Sequence, residues 1–302
     1  MFLNADDPLI NFLGKGLKNV TYFGLPHSEM NEKTLSHDVD SVFCPECQEL
    51  LDFERIAYSH LGDYKCPKCG YKKYSPVFSL TSFLYPLLGV YNKYNVQAAS
   101  VVAFEGFDIG VEGIKSALGS FKPAFGRQEE IIYKGKKVVV LLSKNPTGFN
   151  QSLDAIKQIL RSDLDLQKSE AKQGRTLIKP NVLLVLNDRI PDGQDVSWIW
   201  DTEAEELLDI ADQIFVSGDR VYDMALRVKY ACSSEFSIFP RSLDLGPKGN
   251  SQFSNKIQIK QNLNDSINTA IKHTGENQTL FILPTYSAML EVRKILTGKE
   301  ML

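Results

Sequence analysis

The sequence predicts an α/β protein that carries a metal-binding insertion near its N-terminus. Apolar runs typical of buried strands alternate with amphipathic segments through the second half of the chain, which favours a mostly parallel sheet covered by helices. Two Cys-x-x-Cys pairs, at 44–47 and 66–69, lie in the first half. With 302 residues, of which 43% are hydrophobic and 24% charged, the chain is long enough for two globular domains.

The first half is predicted to contain several short elements around the cysteine pairs. Residues 4–8 look like the loop after a strand, and the cysteines occupy a compact insertion at about 38–76. The remaining predictions, in chain order, are a strand at 20–24, a buried helix within 85–105, a helix at 111–118, a polar turn at 125–129, and hairpin strands at 131–133 and 138–142.

The second half alternates more regularly. A helix at 153–160 is followed by a charged stretch at 162–178, which we interpret as a linker, so the domain boundary is placed between 175 and 176. After it we expect strands at 182–186, 214–217 and 279–283, helices near 203–208, 222–230, 266–273 and 286–296, and a polar loop at 232–256.

Charge and hydropathy exclude some functional classes. The net charge of −3 gives no electrostatic reason to expect nucleic acid as a partner. No apolar run approaches the roughly 20 residues that span a bilayer. Asp6 and Asp7 stand where a signal peptide would carry positive charge. We therefore expect a cytoplasmic protein that is not transmembrane and has no nucleic-acid partner.

The two cysteine pairs predict a structural zinc site. Cys44 and Cys47 are separated by eighteen residues from Cys66 and Cys69, a spacing typical of tetrahedral Zn²⁺ bound by four thiolates. Such a site leaves no position for water, and it is therefore structural rather than catalytic.

Both tryptophans, Trp198 and Trp200, lie in one acidic segment just after the predicted strand 182–186. Because α/β proteins place functional groups past the carboxyl ends of their strands, the acids of this segment are the leading functional candidates: Asp192, Asp195 and Asp201. An alternative for Asp201 is that it caps the helix starting near Thr202.

Several polar residues allow both a structural and a ligand-binding interpretation. Asn92 and Asn95 lie at a loop-to-helix junction, where they either cap the helix or contact a flat heterocycle. Arg127 is either a surface charge or a phosphate contact. Lys144 and Asn145 follow a strand and so occupy a ligand-facing end of the sheet.

Motifs along nearly the whole chain resemble those of one family. They are Asn-Ala-Asp-Asp-Pro at 4–8, Tyr-Asn-Lys-Tyr-Asn at 91–95, Phe-Gly-Arg-Gln-Glu at 125–129, Lys-Asn-Pro-Thr-Gly-Phe-Asn at 144–150, Asp-Gly-Gln-Asp-Val-Ser-Trp-Ile-Trp-Asp at 192–201, Ser-Gly-Asp-Arg-Val-Tyr-Asp-Met-Ala at 217–225 and Leu-Pro-Thr-Tyr at 283–286. With the four-cysteine insertion, they resemble the MurT family, the Mur-ligase-like subunits of lipid II isoglutaminyl synthase.

This resemblance implies a fold and a reaction. It assigns 1–175 to a partial Mur-ligase central ATP-binding domain with a zinc ribbon at about 38–76, and 176–302 to a Rossmann-like C-terminal domain. The family's enzyme uses ATP and Mg²⁺ to phosphorylate the α-carboxylate of D-glutamate in lipid II at the membrane surface. A GatD-like glutaminase, the partner in a heterodimer, supplies ammonia, and the product is D-isoglutamine.

The resemblance also assigns roles to residues. The adenine side of the nucleotide would be lined by Asn4, Asn92 and Asn95. The turns that face the nucleotide would carry Arg127, Lys144 and Asn145. Asp201, then Asp195, then Asp192, are the candidates for completing the partner's Cys–His pair. In the family the P-loop and a magnesium-binding glutamate precede this region, so we expect a chain truncated at its N-terminus with an incomplete ATP site.

Two other functions stay open at this point. One is an amino-acid ligase of the wider Mur and folylpolyglutamate group, which joins an amino acid rather than ammonia. The other is a zinc-ribbon binding module without catalysis, for which lysines near the second cysteine pair give a small basic patch.

Overall fold

The computed structural model describes residues 1–30, 41–74, 78–79, 85–121, 123, 127–169, 178–231 and 256–299. The chain divides into two compact units, Met1–Lys122 and Pro123–Leu302. No helix in the described ranges is long and apolar enough to cross a membrane.

In its described residues, the first unit is built from short strands, three α-helices, a π-helical turn and a 3-10 helix at His27–Glu29. Strands β1 and β2 pair in parallel, and β3 and β4 form an antiparallel hairpin that carries the second cysteine pair at its end. The elements are β1 (Phe2–Asn4), α1 (Pro8–Leu13), β2 (Thr21–Phe23), β3 (Asp52–Tyr58), β4 (Leu61–Lys65), α2 (Val90–Val101), a π-helical turn (Val102–Gly106) and α3 (Val111–Ser120).

Small apolar clusters hold the first unit together. Phe23, Leu25, Met30, Tyr94 and Val101 are buried in one cluster, between β2 and α2. A second cluster surrounds the cysteines, where Leu51 and Tyr64 pack with Cys44 and Cys66. Because both clusters are small, the polar contacts described below contribute to holding this unit's segments in place.

The second unit is a six-stranded sheet in the order β5-β6-β10-β7-β8-β9. Strand β5 is antiparallel to β6, and the other neighbours are parallel. Its elements are β5 (Arg127–Tyr133), β6 (Lys136–Leu141), α4 (Pro146–Ser169), β7 (Asn181–Val185), a 3-10 helix (Ser197–Asp201), a second 3-10 turn (Ala204–Glu206), α5 (Leu207–Ile210), β8 (Ile214–Ser217), α6 (Val221–Ala231), β9 (Ile257–Ile259), α7 (Leu263–His273), β10 (Leu280–Pro284) and α8 (Tyr286–Thr297).

Both faces of this sheet are buried. Successive side chains of a strand point to opposite faces, so Leu184 packs on one side with α4, α5 and α6, while Leu183 packs on the other with α7 and α8. This three-layer arrangement is the α/β fold that the alternation of apolar and amphipathic segments predicts.

The structure differs from the sequence predictions in a few places. The units divide at 122/123 rather than at 175/176, because β5 and β6 belong to the same sheet as β7. The polar turn predicted at 125–129 is wrong at its end, since Arg127 already pairs with Leu141. The segment predicted as a linker begins inside α4, and its remainder, like most of the loop at 232–256, lies outside the described residues.

Candidate functional site

Four cysteine sulfurs converge in the first unit. The Sγ atoms of Cys44, Cys47, Cys66 and Cys69 all lie within 4.8 Å of one another, and the pairs 44–69 and 47–66 are each 3.5 Å apart. Four sulfurs about 2.3 Å from a central zinc ion would lie about 3.8 Å from each other. The donor set and its spacing therefore fit a tetrahedral metal ion.

Local backbone structure aims these sulfurs. In the second pair, Gly70 has a φ of +78°, a conformation that favours glycine, and its N–H donates to the carbonyl of Cys66 at 3.1 Å. The N–H of Cys69 points at the sulfur of Cys66 at 3.5 Å. Burial raises the pKa of the Cys66 thiol, but hydrogen bonds from nearby backbone N–H groups and from the thiols of Cys69 and Cys47 together outweigh this and lower it to about 7.

The cysteine-bearing hairpin holds the loop that follows β1. The hydroxyl of Tyr64 donates to the carbonyl of Ala5 at 3.0 Å, the N–H of Gly62 donates to the carbonyl of Asp6 at 3.0 Å, and the hydroxyl of Tyr71 donates to the carbonyl of Pro8 at 2.7 Å. Three main-chain carbonyls of the 4–8 motif, which is expected near the nucleotide, thus accept hydrogen bonds from this hairpin and the cysteine segment that follows it.

A charged network reinforces this contact. Lys73 lies 2.6 Å from the fully buried Asp6 carboxylate and 2.8 Å from that of Asp63. Tyr94 donates to Asp6 at 2.7 Å, and the N–H of Leu25 donates to it at 2.9 Å. Burial raises the pKa of the Asp6 carboxyl, and the ammonium of Lys73 opposes that effect. The network therefore links the loop, the hairpin and α2.

The three asparagines predicted for the adenine side all lie in the first unit, and each makes a hydrogen bond to a nearby residue. Asn4 accepts from the N–H of Asp6 at 3.0 Å, and Asn92 is buried and donates to the carbonyl of Leu88 at 2.6 Å. Asn95 is exposed and donates to Asn92 at 3.3 Å. Gly89, not an asparagine, precedes α2 as its cap, so Asn92 supports the first turn from within the helix.

In the second unit, Lys144 and Asn145 follow β6 at the carboxyl end of the sheet. Both are exposed, and Asn145 caps α4 by accepting from the N–H of Gly148 at 2.7 Å. Ser143, just before them, donates its N–H to the carbonyl of Pro284 at the end of β10. The backbone of these residues therefore lies at the carboxyl end of the sheet, and a role in ligand binding stays a prediction. Arg127 begins β5, opposite Leu141.

Two of the three candidate aspartates are occupied by structural contacts. Asp192 accepts from the N–H of Ser287 at 2.8 Å and from its hydroxyl, which ties it to the first turn of α8. Asp195 accepts from the N–H of Ser197 at 2.8 Å, at the start of the 3-10 helix. Hydrogen bonds from the backbone and the side chain of Ser197 lower the pKa of the Asp195 carboxyl.

Asp201 differs from the other two aspartates. It is exposed at the end of the 3-10 helix, and no other residue of the described ranges hydrogen-bonds its carboxylate. The helical segment that it was expected to cap begins at Ala204, is preceded by Glu203 and has no side-chain cap, so that alternative is wrong. Trp200 beside it is 47% exposed and makes an edge contact with Tyr230, with ring centroids 5.8 Å apart.

Arg227 on α6, which was not predicted as a site residue, holds this 3-10 helix in place. Its guanidinium is buried and donates to the carbonyl of Ile199 at 3.0 Å and to that of Thr202 at 2.6 Å. It also pairs with Glu205 and lies 5.8 Å from the ring centre of Trp200. Arg227 thus fixes the main chain on both sides of Trp200 and Asp201.

A second group missed from the sequence lies at the ends of β7 and β8. Asn187 is buried, accepts from the N–H of Asp219 at 3.0 Å and donates to the hydroxyl of Ser287 at 3.0 Å. Gly218 has a φ of +103°, and a Cβ there would lie 2.4 Å from the carbonyl oxygen of Leu186. Buried polar groups at this edge support the loops that carry Asp192 and Asp219.

Comparison with known proteins connects this edge of the sheet to one family. Residues 142–289, which include all three candidate aspartates and Lys144, match the family model described as MurT ligase C-terminal. This segment is therefore similar to the C-terminal part of MurT ligases. The match begins at the end of β6 and runs into α8, so it covers most of the second unit.

Curated relatives extend the similarity into the first unit. The MurT subunit of lipid II isoglutaminyl synthase (glutamine-hydrolyzing) from Staphylococcus aureus is 29% identical over 249 residues, covering 76% of this chain and 52% of the relative. The subunit of the same name from Streptococcus pneumoniae is 27% identical and covers 99% of this chain and 62% of the relative. This chain thus spans a little more than half the length of these relatives.

Solved structures show the fold. A pseudomurein peptide ligase type C from Methanothermus fervidus superposes with a TM-score of 0.59 at 24% identity, covering 98% of this chain and 56% of the ligase. MurF from Acinetobacter baumannii gives a TM-score of 0.51 at 16% identity, covering 99% of this chain and 52% of MurF. The Mur-ligase-like α/β fold expected from the motifs is confirmed.

Proposed function

We propose that this chain forms part of an ATP-dependent, glutamine-dependent ligase that amidates the α-carboxylate of D-glutamate in the lipid II stem peptide, giving D-isoglutamine. The supporting observation is the family match over 142–289, which brings the Trp-Ile-Trp-Asp segment and the carboxyl edge of the sheet under one family model. The names of the relatives give the reaction class. The reaction would take place in the cytoplasm at the membrane surface.

The proposed chemistry needs an activated carboxylate. ATP, with Mg²⁺, would supply the γ-phosphoryl group that converts the carboxylate into an acyl phosphate. Phosphate is then the leaving group, and it leaves more easily than oxide. Ammonia then adds to the carbonyl carbon, phosphate leaves, and a proton is lost to give the amide. Within this chain, the adenine would be contacted by Asn4, Asn92 and Asn95. The polar groups of the nucleotide would be contacted by Arg127, Lys144 and Asn145.

Ammonia would come from a GatD-like glutaminase bound as the second subunit of a heterodimer. We propose Asp201 as the carboxylate that orients the partner's catalytic histidine, a role that needs a fixed position and an available oxygen. Asp201 is exposed while its flanking main chain is held by Arg227. Asp195 and Asp192 rank lower because their carboxylate oxygens already accept hydrogen bonds from Ser197 and Ser287.

We propose that the metal held by the four cysteines is zinc with a structural role. Thiolate donors favour zinc among abundant divalent cations, and four protein ligands complete its tetrahedron. The hairpin contacts to residues 5–8 indicate what this site would support, namely the loop after β1.

The decisive experiment uses the complete subunit that contains this sequence, purified with its glutaminase. Asp201→Asn removes the charge and keeps the shape, and we expect glutamine hydrolysis to fall by about 10²-fold or more with unchanged complex formation. Asp195→Asn is the matched control in the same segment and should retain most activity. Normal hydrolysis in the Asp201 variant would exclude that residue from the role.

The same preparation separates the alternatives. An amidotransferase forms product from glutamine or ammonia, whereas an amino-acid ligase of the same fold forms product only when an amino acid is supplied. Product that requires an added amino acid and no glutaminase would replace the proposed reaction with the second one. Absence of any ATP-dependent product would leave the binding-module interpretation.

A further inference from the structure

A basic cavity lies in the second unit, on the side of the sheet covered by α7. Its volume is about 470 Å³, within the usual range for small-ligand sites. Three lysines from separate parts of the chain line it: Lys134 from the β5–β6 turn, Lys260 from the end of β9 and Lys272 from α7. Asn268 and Thr269 supply neutral polar groups between them.

One of these lysines is held in place by two contacts. Lys134 has a φ of +48°, in a two-residue turn with Gly135 at +75°, where asparagine or aspartate is the usual first residue. Its ammonium donates to Asn268 at 2.7 Å and lies 5.2 Å from the ring centre of Tyr133. The turn itself does not require a lysine, so the ammonium is placed by these contacts rather than by backbone geometry.

The charge of the cavity is not neutralised from within. Lys137 and Lys157 in the same unit form ion pairs with Glu130 and Glu206, but Lys260 and Lys272 form no ion pair with any residue that the structure describes. Asp265 is the one acid among the lining residues that the structure describes, and it occupies the first turn of α7, where a carboxylate favours the helix. Three ammonium groups against one carboxylate leave the lining with a positive excess.

We propose that Lys134, Lys260 and Lys272 form a binding site for phosphoryl groups. Lysine ammonium groups are compact point charges that suit phosphate oxygens. The side-chain amide of Asn268 donates one N–H to Asn264 at 3.2 Å and has a second N–H to offer. The positive excess matches a doubly charged phosphoryl group. The phosphoryl group belongs either to a free phosphate compound or to the headgroup of an anionic lipid. The inference is independent of the amidation reaction proposed above.

Isothermal titration calorimetry at low salt, with inorganic pyrophosphate titrated into the full chain, tests whether the ligand is a free phosphate compound. The double variant Lys260→Gln/Lys272→Gln and the single variant Lys134→Gln should weaken binding by about tenfold or more. Lys229→Gln, which removes an exposed lysine from α6, is the matched control and should bind as the unaltered chain does.

Sedimentation with phosphatidylglycerol vesicles tests the second source with the same variants. Loss of pyrophosphate binding in the double variant supports a free phosphate ligand, and loss of vesicle binding alone supports a lipid headgroup. Equal binding by the unaltered chain and the double variant in both assays would overturn the proposal. An equal fall in the Lys229 variant would also overturn it, by showing a non-specific charge effect. Thermal melts of each variant confirm that the fold is retained.

Discussion

Arg227 on α6 donates from Nε to the main-chain carbonyl of Ile199 at 3.0 Å, across 28 residues of sequence. Its other nitrogens reach the carbonyl of Thr202 and the carboxylate of Glu205. One buried guanidinium therefore satisfies acceptors before and after Trp200 and Asp201. The position of the candidate catalytic carboxylate depends on a residue that has no chemical role of its own.

Arg227→Met should destabilise the second unit. Methionine fills much of the same space, but the carbonyls of Ile199 and Thr202 and the Glu205 carboxylate lose a charged donor, at a cost of about 2–4 kcal/mol. Urea unfolding followed by circular dichroism measures the loss. Because Trp200 lies beside the guanidinium, tryptophan fluorescence of the folded variant should shift as well. Lys229→Met on the same helix is the control, and an equal loss there would contradict this account.

Asp192 is predicted to be structural rather than catalytic. Asp192→Ala removes the acceptor for the N–H and hydroxyl of Ser287 in the first turn of α8, which should cost about 1 kcal/mol. Asp201→Ala, at an exposed carboxylate without such contacts, should change the free energy of unfolding by less than about 0.5 kcal/mol. Denaturant titrations of the two variants give the comparison. The reverse order of stabilities would show that Asp201 has a structural role.

The sequence predicted the sheet of the second unit well because its strands are buried on both faces. Val182–Leu186 is apolar without interruption, and Leu183 and Leu184 are indeed buried on opposite sides. Strand β9 was missed because it has three residues and follows a long polar segment. The start of β5 was missed because its polar residues have the composition of a turn. In the structure Gln128 has a φ of +58° and the pairing shifts register between Arg127 and Glu129, so the strand is irregular there.

The candidate site was predictable only in part. Spacing identifies the four cysteines because metal ligands must come in fixed numbers at short separations. Arg227 was not predictable in the same way, because its main partners are main-chain carbonyls, which carry no residue-type signal. The available hint was a charged residue on the buried side of α6, between Met224 and Val228. A lysine or arginine at such a position indicates a buried acceptor.

Lys73 is predicted to be essential for the first unit because it lies beside a buried carboxylate. Lys73→Met leaves Asp6 without a counter-charge and should destabilise this unit by about 3 kcal/mol or more. Adding Asp6→Asn to that variant removes the buried charge and should restore part of the stability. Thermal unfolding of the single and double variants tests the coupling. If the double variant is less stable than Lys73→Met alone, the buried charge is not the cause.

Metal removal should loosen the loop after β1 as well as the cysteine site. The hairpin that carries Cys66 and Cys69 also donates to the carbonyls of Ala5, Asp6 and Pro8, so unfolding of the hairpin removes these three hydrogen bonds together. Since binding energy in a small thiolate site is folding energy, a strong chelator or Cys66→Ser should release the hairpin. We expect faster amide hydrogen exchange at residues 5–10, read by mass spectrometry.

The strands of the second unit serve as the internal control, because their amides are protected by a separate core. Zinc added back to the chelated chain should restore protection at 5–10, whereas zinc added to Cys66→Ser should not. Faster exchange confined to the cysteine segment, with 5–10 unchanged, would mean that the loop after β1 is stable without the hairpin. Slow exchange throughout after complete metal removal would mean that the four thiolates do not hold this unit together.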